Sequence, residues 1–261
     1  MAARSMWNGT LRMGRIALPV KLLAAIEDRA VRFHLLHAKD GQRVSQHLVT
    51  ADDGKDVPQS EIRKGYEVEA GVFVVIDDRD LAALEPPPSR DIEITRFVPA
   101  GWKRFAWYER PYYLAPDGGA GEYFALAEAL AASGREGIAR WTMRKRSYAG
   151  ALRAQDGYLM LIALRHAGEI VDVGTLPAPG GSPLSMKELA MAGQLVGMLE
   201  EDYDPAMFRD EYRERLLALI EAKSSGKVFR FEPPKARRET GDLTKALAAS
   251  LSRARKERKS A

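Results

Sequence analysis

The chain has 261 residues, 46% of them hydrophobic and 29% charged, which suits a folded domain with a sizeable core and excludes a disordered chain. It has no cysteine, which excludes disulfides, cysteine nucleophiles and thiolate metal sites. The net charge of +4 is unevenly spread: from Lys223 to Ala261 there are twelve Lys/Arg against four Asp/Glu, and the rest of the chain holds 28 against 32, so a mildly acidic body carries a strongly basic tail that points to a polyanion or an acidic partner.

The first elements read as strands. Leu18, Val20 and Leu22 alternate with other residues, and Val31, Phe33 and Leu35 do the same, which is the period of a half-buried strand. The continuous apolar run Gly71–Ile76 is short enough for a buried strand. Asp78 is placed to cap a short helix over Asp80–Leu84, closed by Pro86-Pro87-Pro88. Asp91–Val98 returns as a strand, and Glu122–Ala132 has helical apolar spacing ended by Gly134. Ile138–Arg146 and Tyr158–Leu164 are two further strands. Many short strands with Gly and Pro turns suggest a barrel or sandwich.

The texture changes after Gly180-Gly181. Ser185 and Glu188 form a capping box before a helix with Leu189, Leu195, Val196 and Leu199 on one side. Asp204 with Pro205 then opens a second helix, in which Phe208, Tyr212, Leu216 and Ile220 recur every four residues and which Gly226 ends. That apolar stripe needs a partner surface and is a candidate dimer interface. The sequence divides into a core over residues 1–226 and a linker with a basic tail over 227–261. The tail carries one last amphipathic segment with Leu243, Leu247 and Leu251 on one side and a basic end containing Arg255, Lys256 and Lys259.

Between Arg135 and Arg153 the chain holds six basic residues and one acid, Glu136. On an extended strand Ala139, Trp141 and Met143 face one way, and Arg140, Thr142, Arg144 and Arg146 the other, so an arginine face anchored in a core can line a groove. With Lys145 and Arg153 these residues form a candidate phosphate-binding strip; a solvated strand face paired with neighbouring acids reads the same way. Lys21 and Arg12 are further cations at strand ends. His34 and His37 face opposite sides of a strand and suit packing better than a shared metal. Phe105, Trp107, Tyr108, Tyr112 and Tyr113 fit a half-buried strand better than a base-stacking platform. No catalytic constellation is visible.

Several blocks in order resemble one family: Trp7-Asn8-Gly9, Pro19-Val20-Lys21, Phe33-His34-Leu35-Leu36-His37, Lys64-Gly65-Tyr66-Glu67, Arg110-Pro111-Tyr112-Tyr113, the basic segment 139–146, Asp204-Pro205, and Tyr212–Lys223. Together they resemble the short bacterial Ku proteins of DNA end joining. The resemblance implies an α+β, strand-rich fold with a β-barrel core and a helical arm, two subunits forming a ring around duplex DNA ends, no cofactor, and recruitment of an ATP-dependent ligase. It implies phosphate contacts from Arg12, Lys21, Arg140, Arg144, Lys145, Arg146 and Arg153, with Arg255, Lys256 and Lys259 in the tail. Some relatives carry Cys-x-x-Cys-Gly where this chain has Thr50-Ala51-Asp52-Asp53-Gly54, and Asp40 stands where another Cys occurs, so no structural metal is expected. A cytoplasmic, nucleoid-associated protein with no membrane segment is expected. Two other classes stay open: an end-processing lyase acting through a lysine, and a protein-interaction scaffold with a basic tail.

Overall fold

The computed structural model describes residues 5–102, 105–178, 180, 185–200 and 202–226. The chain parts into two units, residues 1–175 and 176–261. Seven strands of the first close into a barrel. They are β1 (Ser5–Met13), β2 (Ile16–Ala24), β5 (Asp91–Pro99), β6 (Tyr108–Pro116), β7 (Arg135–Met143), β8 (Arg146–Gln155) and β9 (Tyr158–Leu164). Their order is β1-β2-β6-β9-β8-β7-β5. All neighbours are antiparallel except β1 and β5, which close the barrel in parallel with Thr10, Leu11 and Arg12 opposite Asp91, Ile92 and Glu93.

Period-two alternation fills the interior. Leu11, Leu18, Val20, Leu22, Ile92, Leu114, Leu152, Leu159 and Leu161 are buried and join one cluster. Each such side chain contributes about 1.5–3 kcal/mol relative to exposure. One helix, α2 (Ala120–Ser133), closes the barrel by inserting Tyr123, Ala127 and Leu130 from one face. The Tyr123 hydroxyl donates to the Leu114 carbonyl and accepts the Leu159 amide at 2.8 Å, so the buried phenol is fully bonded and ties the helix to β6 and β9.

Two glycines permit close approach. A Cβ at Gly9 would sit 2.1 Å from the Trp7 ring and 2.4 Å from the Arg90 carbonyl. Its absence lets the indole lie over the β1 backbone while Thr10 donates to that carbonyl at 2.8 Å, which explains the Trp7-Asn8-Gly9 motif. At Gly150 a Cβ would meet the Trp141 ring at 2.6 Å and the Ile162 carbonyl at 2.8 Å.

Several expectations from the sequence need correction. Val31, Phe33 and Leu35 form no strand. No neighbouring strand pairs with them, and Phe33 is 67% exposed; only an isolated bridge joins Leu36 to Arg43. The run ending at Ile76 is a strand, β4 (Val72–Ile76), but it pairs only with β3 (Lys64–Glu69) in a two-stranded hairpin and is not buried. The helix after it, α1 (Asp78–Ala83), is capped by Asp77 and not Asp78: the Asp77 amide donates to the Asp80 carboxylate at 2.9 Å.

The segment 138–146 is not one strand. It breaks at Met143 into a two-residue turn and returns as β8, a strand absent from the sequence reading. In the second unit α3 (Met186–Met198) begins at the anticipated Ser185–Glu188 capping box. Asp204 and Pro205 open only a single 3-10 turn ending at Met207, and the helix proper, α4 (Glu211–Ser224), starts behind its own cap, Asp210. Phe208 therefore lies outside the helix and stacks on Tyr203 with ring centroids 5.2 Å apart. The apolar stripe is reduced to an exposed Tyr212, a half-buried Leu216 and Ile220 at 41% exposure. Residues 227–261, with Arg255, Lys256 and Lys259, lie outside the described residues. No helix among the described residues is long and apolar enough to cross a membrane.

Candidate nucleic-acid interface

The basic residues singled out on the barrel lie on β1, β2, β7 and β8 and at the β7–β8 turn, and the structure sorts them by whether a carboxylate already holds them. On β7, Ala139, Trp141 and Met143 point inward, while Arg140 and Thr142 line a groove of about 800 Å³ with Arg12, Asp91, Glu93 and His166. In register, Arg12 lies opposite Glu93, and Glu93 opposite Arg140, so charges of alternating sign run across β1, β5 and β7. The Arg12 guanidinium donates to Asp91 at 2.9 Å.

Lys21 donates to Asp117 at 2.6 Å, and the Asp117 amide bonds the Pro19 carbonyl at 2.9 Å. The Pro19-Val20-Lys21 motif thus clamps the end of β2 to β6. Lys145 donates to Glu85 at 2.8 Å, and this bond raises its pKa above the ordinary lysine value.

Arg153 is a structural residue as much as a surface cation. It donates at 2.8 Å to Glu136, a fully buried carboxylate, and its guanidinium lies 5.6 Å from the centroid of the Tyr108 ring. Glu136 also accepts the Gly101 amide at 3.1 Å, the Trp102 indole N–H at 3.2 Å and the Tyr108 hydroxyl at 3.0 Å. Four donors on one carboxylate offset its desolvation and pin β6, β7, β8 and the β5–β6 connection together. Burial first, and then the bond to Glu136, raise the Tyr108 pKa above the ordinary tyrosine value. In the sequence Glu136 stands out only as the lone acid of a basic segment. Nothing local in the sequence marks it, because its partners come from three other parts of the chain.

Arg140, Arg144 and Arg146 make no ion pair among the described residues. Arg144 and Arg146 do not share the Arg140 strand face as expected: Arg144 and Lys145 are the two central residues of the β7–β8 turn, and Arg146 opens β8 opposite Met143. Arg144 and Lys145 have φ of +50° and +66°. A two-residue hairpin loop with both φ values positive is a type I′ turn, which favours Asn-Gly or Asp-Gly. The adjoining β8–β9 turn obeys that rule with Asp156 and Gly157 at +51° and +79°. The β7–β8 tip carries two long cations in the same strained geometry instead.

His37 Nδ1 lies 2.8 Å from Asp40, whose pKa is lowered by a bond from the Gln42 amide and by His37. Thr50 and Asp53 are hydrogen-bonded in the same i, i+3 relation. Among the aromatics, Tyr112 is buried in the core, whereas Phe105 is 93% exposed and Tyr113 39%.

The structure is a closed, strand-rich barrel with a cationic β7–β8 hairpin turn. The family model for the Ku70/Ku80 beta-barrel domain matches residues 12–191. The chain is 36% identical over 253 residues to "Non-homologous end joining protein Ku 2" of Geotalea uraniireducens, covering 96% of this chain and 98% of that one. It is 38% identical over 259 residues to the "Non-homologous end joining protein Ku" of an Anaeromyxobacter species, covering 97% and 87%. To the protein of that name from Mycolicibacterium smegmatis it is 35% identical over 259 residues, covering 95% and 81%. The chain belongs to the Ku family.

Proposed function

We propose that this chain binds double-stranded DNA ends in non-homologous end joining, as two copies forming a ring that threads onto the duplex without reading its sequence. The observation that carries this reading is the β7–β8 tip, where left-handed backbone is spent on cations rather than Asn-Gly. Strain retained at such a position is characteristic of functional sites. Arg140, Arg144 and Arg146 are the primary phosphate ligands, because among the described residues no carboxylate must be displaced from them first. Arg12, Lys21 and Lys145 are secondary. Their ion pairs are solvent-exposed, so a phosphate can exchange for the carboxylate at little cost. Arg153 stays with Glu136. Binding by phosphate contacts alone ignores sequence and depends steeply on salt.

The second copy is supported by apolar surface that a lone chain leaves wet. On the β3–β4 hairpin Tyr66, Val68, Val72, Phe73, Val74 and Val75 are each more than half exposed, on both faces. An exposed apolar hairpin of this kind invites a protein partner, and a ring supplies one in the second subunit. On α4, Tyr212, Leu216 and Ile220 offer a second apolar strip, and Phe208, outside that helix, stacks on Tyr203. The tail with Arg255, Lys256 and Lys259 adds a screened attraction to DNA or to the acidic surface of an ATP-dependent ligase. The test is competition between linear and closed-circular duplex of one sequence. Linear DNA should compete far better, and equal competition would refute threading.

A further inference from the structure

Beside the phosphate-binding strip, and sharing Arg144 and Lys145 with it, lies a second pocket, of about 530 Å³. Its apolar surface comes from Trp7, Pro86 and Pro88, and its rim from Arg90, Arg144 and Lys145. Glu85 is the one acid among its lining residues, and it is bonded to Lys145. Neither Arg90 nor Arg144 makes an ion pair among the described residues. Thr142 and Ser89 line this pocket and the Arg140 groove alike, so the two adjoin.

The pocket is built rather than incidental. Gly9 lets the Trp7 ring lie against the β1 backbone, and Trp7 packs on the barrel core, which holds its orientation. The Arg90 carbonyl is fixed by the Thr10 amide, so its side chain springs from an anchored backbone. An aromatic ring packed on the barrel core, flanked by prolines and bordered by two guanidinium groups that make no ion pair among the described residues, combines the two contacts that single-stranded nucleic acid requires. One is a π-face for the base and the other is a cation for the phosphate. The volume lies within the range of small-molecule sites, roughly 300–1,000 Å³.

We propose that this pocket takes an unpaired nucleotide, its base stacked on Trp7 and its phosphate held by Arg90 and Arg144, and thereby binds single-stranded overhangs. The inference rests on the reading of the adjoining strip as a phosphate-binding surface. A base inside the duplex has both faces covered by its neighbours, and a terminal base, though open on one face, is tethered to its Watson–Crick partner and cannot enter a pocket of about 530 Å³ as a lone nucleotide can. The pocket therefore distinguishes ragged from blunt ends and remains indifferent to sequence.

The experiment uses the full chain with three probes: a blunt duplex, the same duplex with a short overhang containing 5-iododeoxyuridine, and that overhang strand alone. Affinity is read by fluorescence anisotropy, and the photocrosslink by mass spectrometry. The overhang duplex should bind at least about fivefold more tightly than the blunt one, since one stacked base contributes at least that much. The crosslink should fall in the peptide spanning residues 5–12, which contains Trp7. Arg90→Gln should remove the overhang preference and keep blunt affinity. Trp7→Leu should remove the preference and the crosslink together; if it fails to fold, Arg90→Gln still decides. Failure to bind the blunt duplex would overturn the function proposed above. Blunt binding with no overhang preference and no crosslink in residues 5–12 would overturn this inference alone, and would leave the pocket to a second copy of the chain or another protein.

Discussion

Replacing Arg144-Lys145 by Asn-Gly separates what the β7–β8 tip does for the fold from what it does for binding. Both residues hold positive φ, at +50° and +66°. Left-handed backbone costs an ordinary residue roughly 1–2 kcal/mol, and Asn-Gly largely escapes that cost. The lost Lys145–Glu85 contact joins an exposed lysine to a half-buried glutamate at the surface and offsets little. The double variant should therefore be more stable by about 2 kcal/mol, a Tm rise of roughly 4–8 °C for a chain of this size. The same change removes two cations from the proposed interface. The slope of log K against log salt should become shallower by about 0.9 for each lost phosphate contact, hence by nearly two units. The assays are thermal denaturation and anisotropy with a duplex across a salt series. A variant that is more stable and binds less tightly, equally for all sequences, fits the account. An unchanged salt slope in the folded variant would show that the turn faces solvent and not phosphate. A loss of stability would show that the left-handed backbone carries no strain for Asn-Gly to relieve.

Three further outcomes follow from the geometry. Glu136→Ala leaves the Trp102 indole, the Tyr108 hydroxyl and Arg153 without their shared acceptor, and should cost about 3 kcal/mol in chemical denaturation, discounted from the fully buried case because Arg153 keeps partial access to water. Tyr108, Tyr112 and Tyr123 have pKa values raised chiefly by burial. A raised folded pKa means that the neutral phenol is favoured in the folded state. That contribution is complete below about pH 10 and is lost as pH rises through the folded values. Spectrophotometric titration should thus show a late fraction of the nine tyrosines, and Tyr108→Phe should shrink it. Phe73→Ser with Val75→Ser on the hairpin should lower the solution mass from near twice 28.9 kDa toward one chain and leave the barrel's melting temperature in place; an unchanged dimer would move the interface elsewhere.

Where the signal is a local pattern of side chains, the residues announce the element. The alternation of Leu18, Val20 and Leu22, the run Tyr158–Leu164 and the Ser185–Glu188 capping box all appear in the structure as read. The Ku resemblance supplied the barrel, which local periodicity alone left open to a sandwich. The β7–β8 turn was missed although a sign of it stands in the sequence. Inward residues occupy odd positions at Ala139, Trp141 and Met143 and even ones at Tyr148, Gly150 and Leu152. A change of parity across two residues is what a two-residue hairpin produces, but Arg144-Lys145 lacks the Asn-Gly composition that signals one. The Val31–Leu35 alternation misled for the opposite reason: the pattern is present, and no strand lies alongside to pair with it. Of the candidate site, residue type and neighbourhood were legible. Which cations are free was not, because Asp91, Asp117, Glu85 and Glu136 reach their partners only through the closed barrel.

The most direct test of the ring is topological. The protein is loaded on a linear duplex, the duplex is ligated into a circle with the protein bound, and the complex is challenged with high salt and excess competitor. A ring should stay on the closed circle and leave once the circle is cut. Equal loss from the closed and the cut DNA would contradict threading and reduce the interface to an ordinary cationic surface.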